Sequence, residues 1–187
     1  MHVIKYKVNG QQYTSSKVSN DDFELVTVEE GNRTTVTLLA KKELELDYFE
    51  MFLEAEYSES AKIYVNGYQS WTDSKEFYVD ENIKKIRMPA LVTNIFKFKG
   101  YGDYTFKKTR KGILHGYTYS YVKDGDNTYF IGSLNEQNAY LIINHYIRNL
   151  RLGLESDCSG KKVKKSFVLL DFIKQKNDVF EAQRNYF

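Results

Sequence analysis

Several features that define particular classes of protein are scarce in this chain of 187 residues. A single cysteine, Cys158, excludes an internal disulfide framework and a cysteine-based metal cluster. One proline and few glycines argue against a disordered or low-complexity chain. No apolar run approaches the ~20 residues of a membrane-spanning helix, and the first residues lack the pattern of a signal peptide. We therefore expect a cytoplasmic protein with no membrane partner.

The chain also lacks an excess of charge of either sign. Lysine and arginine total 27 against 25 acidic residues, which gives a net charge of +2. Three short basic runs, at 84–87, 107–111 and 161–165, are typical of solvated strand edges and loops, where lysine discourages pairing between edges. The near balance predicts that nucleic acid is not a partner.

Aromatic residues are abundant, with 16 tyrosines and 12 phenylalanines beside one tryptophan. Tyrosine and phenylalanine favour strands, because their rings pack well on a pleated surface. Residues 4–8 and 11–14 flank Asn9-Gly10, a pair typical of tight hairpin turns. A second hairpin is predicted for 23–28 and 34–40, with its turn at 29–32.

The rest of the chain continues the alternation of apolar and polar residues between turn signals. Further strands are predicted at 62–65, 76–79, 84–88, 95–99, 113–122, 128–134, 139–147, 149–155 and 163–173. Many short strands at this spacing predict an all-β, antiparallel β-sandwich that occupies residues 1–176 as one domain. Residues 177–187 show a helical pattern and predict a short C-terminal helix or connector.

Residues 41–57 fit two patterns. Leu44, Tyr48, Phe52 and Ala55 lie at helical spacing, whereas Leu44, Leu46 and Tyr48 alternate with acidic residues as in a strand. The pattern alone does not decide between the two. The surrounding strands favour a strand.

The side chains that could carry chemistry are scattered. None of the three histidines has a second imidazole or a thiol at metal-ligand spacing, and His145 lies in an apolar strand pattern typical of a core residue. Cys158 lies in a turn without a motif around it, which makes a nucleophilic role improbable. Residues 124–127 indicate a hairpin turn, because the glutamate that closes a calcium loop is missing. We predict no catalytic residue, metal ligand or cofactor in this chain.

Paired carboxylates can catalyse glycoside hydrolysis, and Asp73 and Glu76 are close in sequence. Nothing in the sequence places them in one cleft, and carboxylates in exposed turns are far commoner.

Residues 66–74, Asn-Gly-Tyr-Gln-Ser-Trp-Thr-Asp-Ser, contain the only tryptophan beside a tyrosine and an amide. Proteins bind sugars by stacking an aromatic ring on the apolar face and by hydrogen-bonding the hydroxyls with groups such as glutamine. The alternative is a hairpin turn at Asn66-Gly67 that leaves Trp71 in the core.

Residues 65–71 resemble the Asn-x-aromatic-Gln-Ser-Trp motif of the amino-terminal domain of glycoside hydrolase family 36, the α-galactosidases or melibiases. Residues 115–119, His-Gly-Tyr-Thr-Tyr, and 130–136, Phe-Ile-Gly-Ser-Leu-Asn-Glu, are similar to the Gly-Tyr-Thr-Tyr and Gly-Ser-Leu-Asn-Glu blocks of bacterial members. The order and spacing of these stretches match those of the family, and the resemblance spans most of the chain.

This resemblance implies a many-stranded sandwich, or supersandwich, that precedes a (β/α)8 barrel with the two catalytic aspartates of a retaining mechanism. Those aspartates would lie beyond Phe187, and residues 177–187 resemble the connector to the barrel. The resemblance implies that Trp71 helps to wall the galactose pocket. Tyr68 and Gln69 match the aromatic and amide positions of the motif.

Three functional hypotheses follow. The first is a non-catalytic domain of an α-galactosidase-like enzyme, inactive alone, whose partners are its own barrel and an α-galactoside. The second is a free-standing carbohydrate-binding or interaction module in which Trp71 and nearby tyrosines form a sugar platform. The third, a nucleic-acid-binding sandwich, is disfavoured by the net charge. The sequence leaves open whether the chain forms a homo-oligomer.

Overall fold

The computed structural model describes residues 3–14, 19–67, 74–83, 95, 110–176 and 184. Strands dominate these residues and form two antiparallel sheets, with seven strands in each over the described ranges. The two sheets pack face to face across a shared apolar core. The prediction of an all-β, antiparallel β-sandwich is confirmed.

The strands are numbered in chain order. The first sheet contains, in spatial order, β2 (Gln11–Thr14), β1 (Val3–Val8), β5 (Leu44–Glu54), β12 (Arg151–Ser156), β11 (Leu141–Tyr146) and β8 (Ile113–Tyr117). A further strand, β13 (Lys161–Val163), pairs with the beginning of β5.

The second sheet contains, in spatial order, β3 (Phe23–Glu30), β4 (Arg33–Ala40), β14 (Ser166–Lys176), β10 (Asn127–Ser133), β9 (Tyr119–Asp124), β6 (Lys62–Val65) and β7 (Lys75–Tyr78). Each sheet therefore combines strands from both halves of the chain.

Both predicted hairpins are present. Asn9 and Gly10, with φ values of 49° and 75°, form the two-residue turn between β1 and β2. The second hairpin joins β3 to β4 through Gly31, at φ 62°, and its strands extend further than predicted. Residues 124–127 also form a hairpin turn, in which Asp124 pairs with Asn127.

The ambiguous segment forms strand β5, which confirms the strand alternative, but its alternation is interrupted. Lys7 pairs with Tyr48 and Val8 with Leu46, so a bulge leaves Asp47 without a strand-register partner in β1. The bulge shifts the phase of the side chains. Leu46 and Phe49 therefore both face the core, and Tyr48 lies on the opposite face with Glu50.

Two segments predicted as single strands are each divided between the sheets. Residues 113–122 form β8 of the first sheet and β9 of the second, separated by Thr118 with a φ of 66°. Residues 163–173 fall into β13 and β14 in the same way. The prediction of single strands was wrong here because strand-like alternation continues on either side of each break.

The main core lies between the two sheets. Tyr6, Phe49 and Met51 from the first sheet meet Leu38 and Phe172 from the second, and all five are nearly inaccessible to solvent. Burying each such side chain contributes on the order of 1.5–3 kcal/mol. A second buried cluster combines β6, β7, β8 and β9 and contains Ala61, Ile63, Val65, Phe77, Leu114 and Val122.

Several predicted elements lie wholly or mostly outside the described residues. The strand predicted at 84–88 is one of them. Of the strand predicted at 95–99 only Ile95 is described, and its backbone is helical, so the prediction is wrong at that residue. Of 177–187 only Arg184 is described, and it is helical. The boundary between a sandwich and a connector stays a prediction.

Candidate functional site

The three predicted substrate-binding residues, Tyr68, Gln69 and Trp71, lie outside the described residues, as does Asp73. The structure does describe the two ends of this segment. The backbone N–H of Gly67 donates to Oγ of Ser74 at 2.9 Å. The two ends are therefore held together beyond the paired strands β6 and β7.

Asn66, the first residue of the Gln-Ser-Trp motif, joins the two sheets. It follows β6 of the second sheet, yet its backbone carbonyl accepts a hydrogen bond from the N–H of Tyr117 in β8 at 2.9 Å. Its side-chain Nδ2 donates to the carbonyl of Tyr117 at 3.0 Å. These bonds fix the start of the motif against the first sheet.

Gly116 allows this close approach. A Cβ on Gly116 would lie 2.9 Å from the backbone nitrogen of Asn66 and 3.1 Å from its oxygen. Since these are backbone atoms, a side chain at this position would displace one of the two strands. Glycine is therefore required where the Gly-Tyr-Thr-Tyr block meets Asn66.

Thr118 turns the chain from the first sheet to the second in a left-handed conformation that is unusual for a β-branched residue. Its N–H donates to the carbonyl of Leu141 at 3.0 Å, and its own carbonyl accepts from the N–H of Ser133 at 2.7 Å. The carboxylate of Glu136 accepts from Oγ1 of Thr118 and from the N–H of Leu141, both at 3.3 Å. Long-range hydrogen bonds thus hold the strained residue.

We call this set the motif corner; its members are Asn66, Gly116, Tyr117, Thr118, Ser133 and Glu136. It brings together the three sequence stretches that resemble one family, although they are far apart along the chain. Sequence reasoning identified the stretches and missed their contact, because spacing carries no information on which strands cross between sheets. The corner can position the segment that begins at Asn66.

A serine–histidine pair lies inside the sandwich. His145 of β11 is 1% exposed, which confirms the prediction of a core residue. Its Nε2 lies 2.7 Å from Oγ of Ser120, and its Nδ1 lies 3.2 Å from the hydroxyl of Tyr57. The pair resembles the nucleophile and base of a hydrolase in composition.

The direction of the hydrogen bonds excludes that role. Ser120 donates its single hydroxyl proton to the backbone carbonyl of Tyr64, so Nε2 of His145 must donate to Ser120. Nδ1 then accepts from Tyr57. Burial lowers the pKa of His145 to about 3, so the imidazole is neutral. We call this chain, Tyr57–His145–Ser120, the polar strut, because it links the first sheet to the second.

A carboxylate that sequence reasoning missed is buried on the face of the first sheet that points away from the core. Glu50 is 2% exposed, and its Oε1 accepts from the hydroxyl of Tyr146 at 2.7 Å and from Nδ2 of Asn144 at 3.1 Å. The hydroxyl of Tyr48 donates to Oε2. A Cβ on Gly153 would overlap Oε1, so glycine makes room for the carboxylate.

Burial and the contacts with Glu50 raise the pKa values of the two neighbouring tyrosines. Burial, followed by the bond to Glu50, raises the pKa of Tyr48, and burial with the adjacent carboxylate raises the pKa of Tyr146. Both hydroxyls therefore stay protonated and act as donors. Glu50 is one of several acidic residues in β5, so the sequence alone does not distinguish it from the exposed ones.

Two other candidates are accounted for by the fold. Cys158 is fully buried, and burial raises the pKa of its thiol to about 11, which opposes a nucleophilic role. Glu76 accepts from Nζ of Lys123 at 2.6 Å and from the hydroxyl of Tyr121 at 2.9 Å. The bond to Lys123 lowers the pKa of Glu76 and keeps it ionised.

Comparison with known proteins adds no family assignment. No family model matches the chain, and no curated protein is significantly similar to it. Over the described ranges, no group of three or more His, Cys, Asp and Glu side chains could hold a metal ion. The described residues also include no helix with the length and apolar character needed to traverse a bilayer.

Proposed function

We propose that the chain is the non-catalytic, amino-terminal β-sandwich domain of an α-galactosidase-like retaining glycoside hydrolase. In this proposal it packs on a catalytic barrel that follows it. Trp71, with Tyr68 and Gln69 beside it, contributes to the wall of the galactose pocket. The chemistry belongs to two aspartates of the barrel.

The motif corner carries this proposal. Three stretches that resemble blocks of one family also meet in space, through the bonds of Asn66 to Tyr117 and of Thr118 to Ser133 and Glu136. Residues that form one structural unit are expected to occur together in a family, which supports a common origin for the three resemblances. The corner also anchors the beginning of the segment that contains Trp71.

The experiment uses the full-length protein encoded by the gene and an aryl α-galactoside. We expect hydrolysis by the full-length protein and none by residues 1–187 alone. Trp71→Ala should lower kcat/KM by roughly tenfold or more, because a stacking surface for the sugar is lost. Trp71→Phe, which keeps an aromatic ring, serves as the matched control and should lose less.

Two results would contradict the proposal. Hydrolysis by the purified chain alone would assign the chemistry to these residues and not to a barrel. An unchanged kcat/KM in Trp71→Ala would remove Trp71 from the pocket.

A second candidate, the free-standing sugar-binding module, is favoured by an aromatic ladder in the second sheet, in which Tyr64 and Tyr119 are half-buried and Tyr121 and Phe130 are buried. Tyr64 pairs with Tyr121, and Tyr121 with Phe130, on three adjacent strands. The rings of Tyr64 and Tyr121 stack at 4.8 Å, and those of Tyr64 and Tyr119 at 5.6 Å. Saturable sugar binding by the chain alone that is weakened in Tyr64→Ala and in Trp71→Ala would favour this candidate, in which Trp71 and nearby tyrosines form the platform.

A further inference from the structure

A cavity of about 480 Å³ opens between the two sheets at one end of the sandwich. Leu53 and Leu152 of the first sheet face Val122 and Ile131 of the second across it. The volume falls within the range of roughly 300–1,000 Å³ that small-molecule sites occupy. These four aliphatic side chains form part of the interior wall, together with Tyr57 and His145.

The polar groups at the inner wall are already paired. His145 and Tyr57 both line the cavity, and their hydrogen-bonding atoms are joined to each other and to Ser120 in the polar strut. A buried water molecule needs roughly 2–4 hydrogen-bonding partners, whereas cavities with apolar walls bind apolar ligands. This wall therefore favours an apolar occupant over water.

The polar strut also explains why the sheets do not close over the space. It spans from the first sheet to the second beside the cavity. Nε2 of His145 already lies 2.7 Å from Oγ of Ser120, so a closer approach of the sheets at this point would force the two atoms into repulsive overlap. The cavity lies where the core divides. Leu53 and Ile131 belong to the main cluster, whereas Val122 belongs to the second.

The rim carries aromatic rings and charges of both signs. Tyr129 is 45% exposed, and Nζ of Lys176 lies 5.3 Å from the centroid of its ring. Lys174 lies on the same side, and the exposed Glu54 and Glu56 lie on the opposite side. Because the rim carries both signs, it gives no net electrostatic preference for a cation or an anion, which suits an uncharged ligand.

We propose that this cavity is a binding site for an uncharged, ring-containing small molecule, whose apolar part inserts between Leu53, Val122 and Leu152 and whose polar end reaches the rim near Tyr129. The inference does not rest on the proposed function. It holds for a domain of a larger enzyme and for a free-standing module alike.

The test uses the neutral fluorescent probe N-phenyl-1-naphthylamine and the full 187-residue chain. We expect saturable binding with one probe per chain. Leu152→Trp fills the interior of the cavity, and Ala55→Trp narrows its mouth at a half-buried position. Each should weaken binding at least tenfold. Val28→Trp, on an exposed part of β3, is the matched control and should leave binding unchanged.

The absence of saturable binding to the unmodified chain would overturn the proposal. Equal affinity in Ala55→Trp and the unmodified chain would also overturn it, and this variant decides the question if Leu152→Trp fails to fold. An equal loss of affinity in Val28→Trp would assign the probe to another surface and would contradict the cavity as the site.

Discussion

Acidification should destabilise the sandwich through His145. The imidazole has a pKa of about 3 in the folded state, against 6.5 when it is exposed. Between these values the unfolded chain binds more protons at this site, so the free energy of unfolding rises with pH. The stabilising effect of the neutral imidazole is complete above pH 6.5 and is lost progressively as the pH falls towards 3.

The magnitude follows from the distance between the working pH and the unfolded pKa. At pH 5 the imidazole of the unfolded chain is about 1.5 pH units below its pKa. Its protonation therefore stabilises the unfolded state by roughly 2 kcal/mol. This is a large fraction of the 5–15 kcal/mol that typically stabilises a domain. An exposed imidazole changes its protonation state between pH 7 and pH 5, so this interval reports on the contribution of His145.

Urea unfolding at pH 7 and pH 5, followed by circular dichroism, measures this effect. The unmodified chain should lose about 2 kcal/mol between the two pH values. His145→Gln should be less stable at pH 7, because the polar strut is altered, but it should lose much less on acidification. His115→Gln removes a second buried histidine and is the matched control.

The reasoning is refuted if His145→Gln and the unmodified chain lose equal free energy between pH 7 and pH 5. A pH dependence that disappears in His115→Gln but persists in His145→Gln would assign the effect to the other imidazole.

Two further predictions concern glycines at which other parts of the chain approach the backbone closely. Gly116→Ala should lower the free energy of unfolding in urea by about 1–3 kcal/mol, because its Cβ would press on the backbone of Asn66. The control Gly125→Asn, in an open turn with a left-handed φ, should lower it little. Equal losses in the two variants would contradict the packing argument. Gly153→Ala should cost about 2–3 kcal/mol by displacing the Glu50 carboxylate from its donors. In a Glu50→Ala background the overlap with Oε1 is gone, although the Cβ still approaches Cε2 of Tyr146 at 2.7 Å, so the same change should cost less; additive losses in this double-mutant cycle would refute the contact with Glu50.

Local patterns predicted the hairpins, because their information lies within a few residues. Asn9-Gly10 accepts the left-handed φ values that a two-residue turn requires, and the flanking alternation continues into both strands. The irregular alternation of strand β5 could not be predicted from its own sequence. Its bulge at Asp47 is set by pairing with β1, so the sequence of β5 alone shows neither the phase shift nor the face on which Tyr48 lies.

The passage of the chain from the first sheet to the second at Thr118 is a second feature that the local sequence does not show. A threonine with a left-handed φ gives no sequence signal, since β-branched residues normally continue a strand. Its conformation is maintained by partners more than ten residues away, including Leu141 and Glu136. For the same reason the motif corner could not be predicted, although each stretch that forms it was recognised. The positions of Tyr68, Gln69 and Trp71 stay predictions.

Three of the described buried or half-buried polar groups share one property. His145 donates to Ser120, and Glu50 and Glu136 accept from fixed donors, so each group already has its partners within the fold. A catalytic group needs an atom that is available to a substrate in the reactive geometry. These three groups are therefore engaged in holding strands together. The inter-sheet cavity differs because its aliphatic wall still has contact surface to offer a ligand, which makes it the more direct site for a binding experiment.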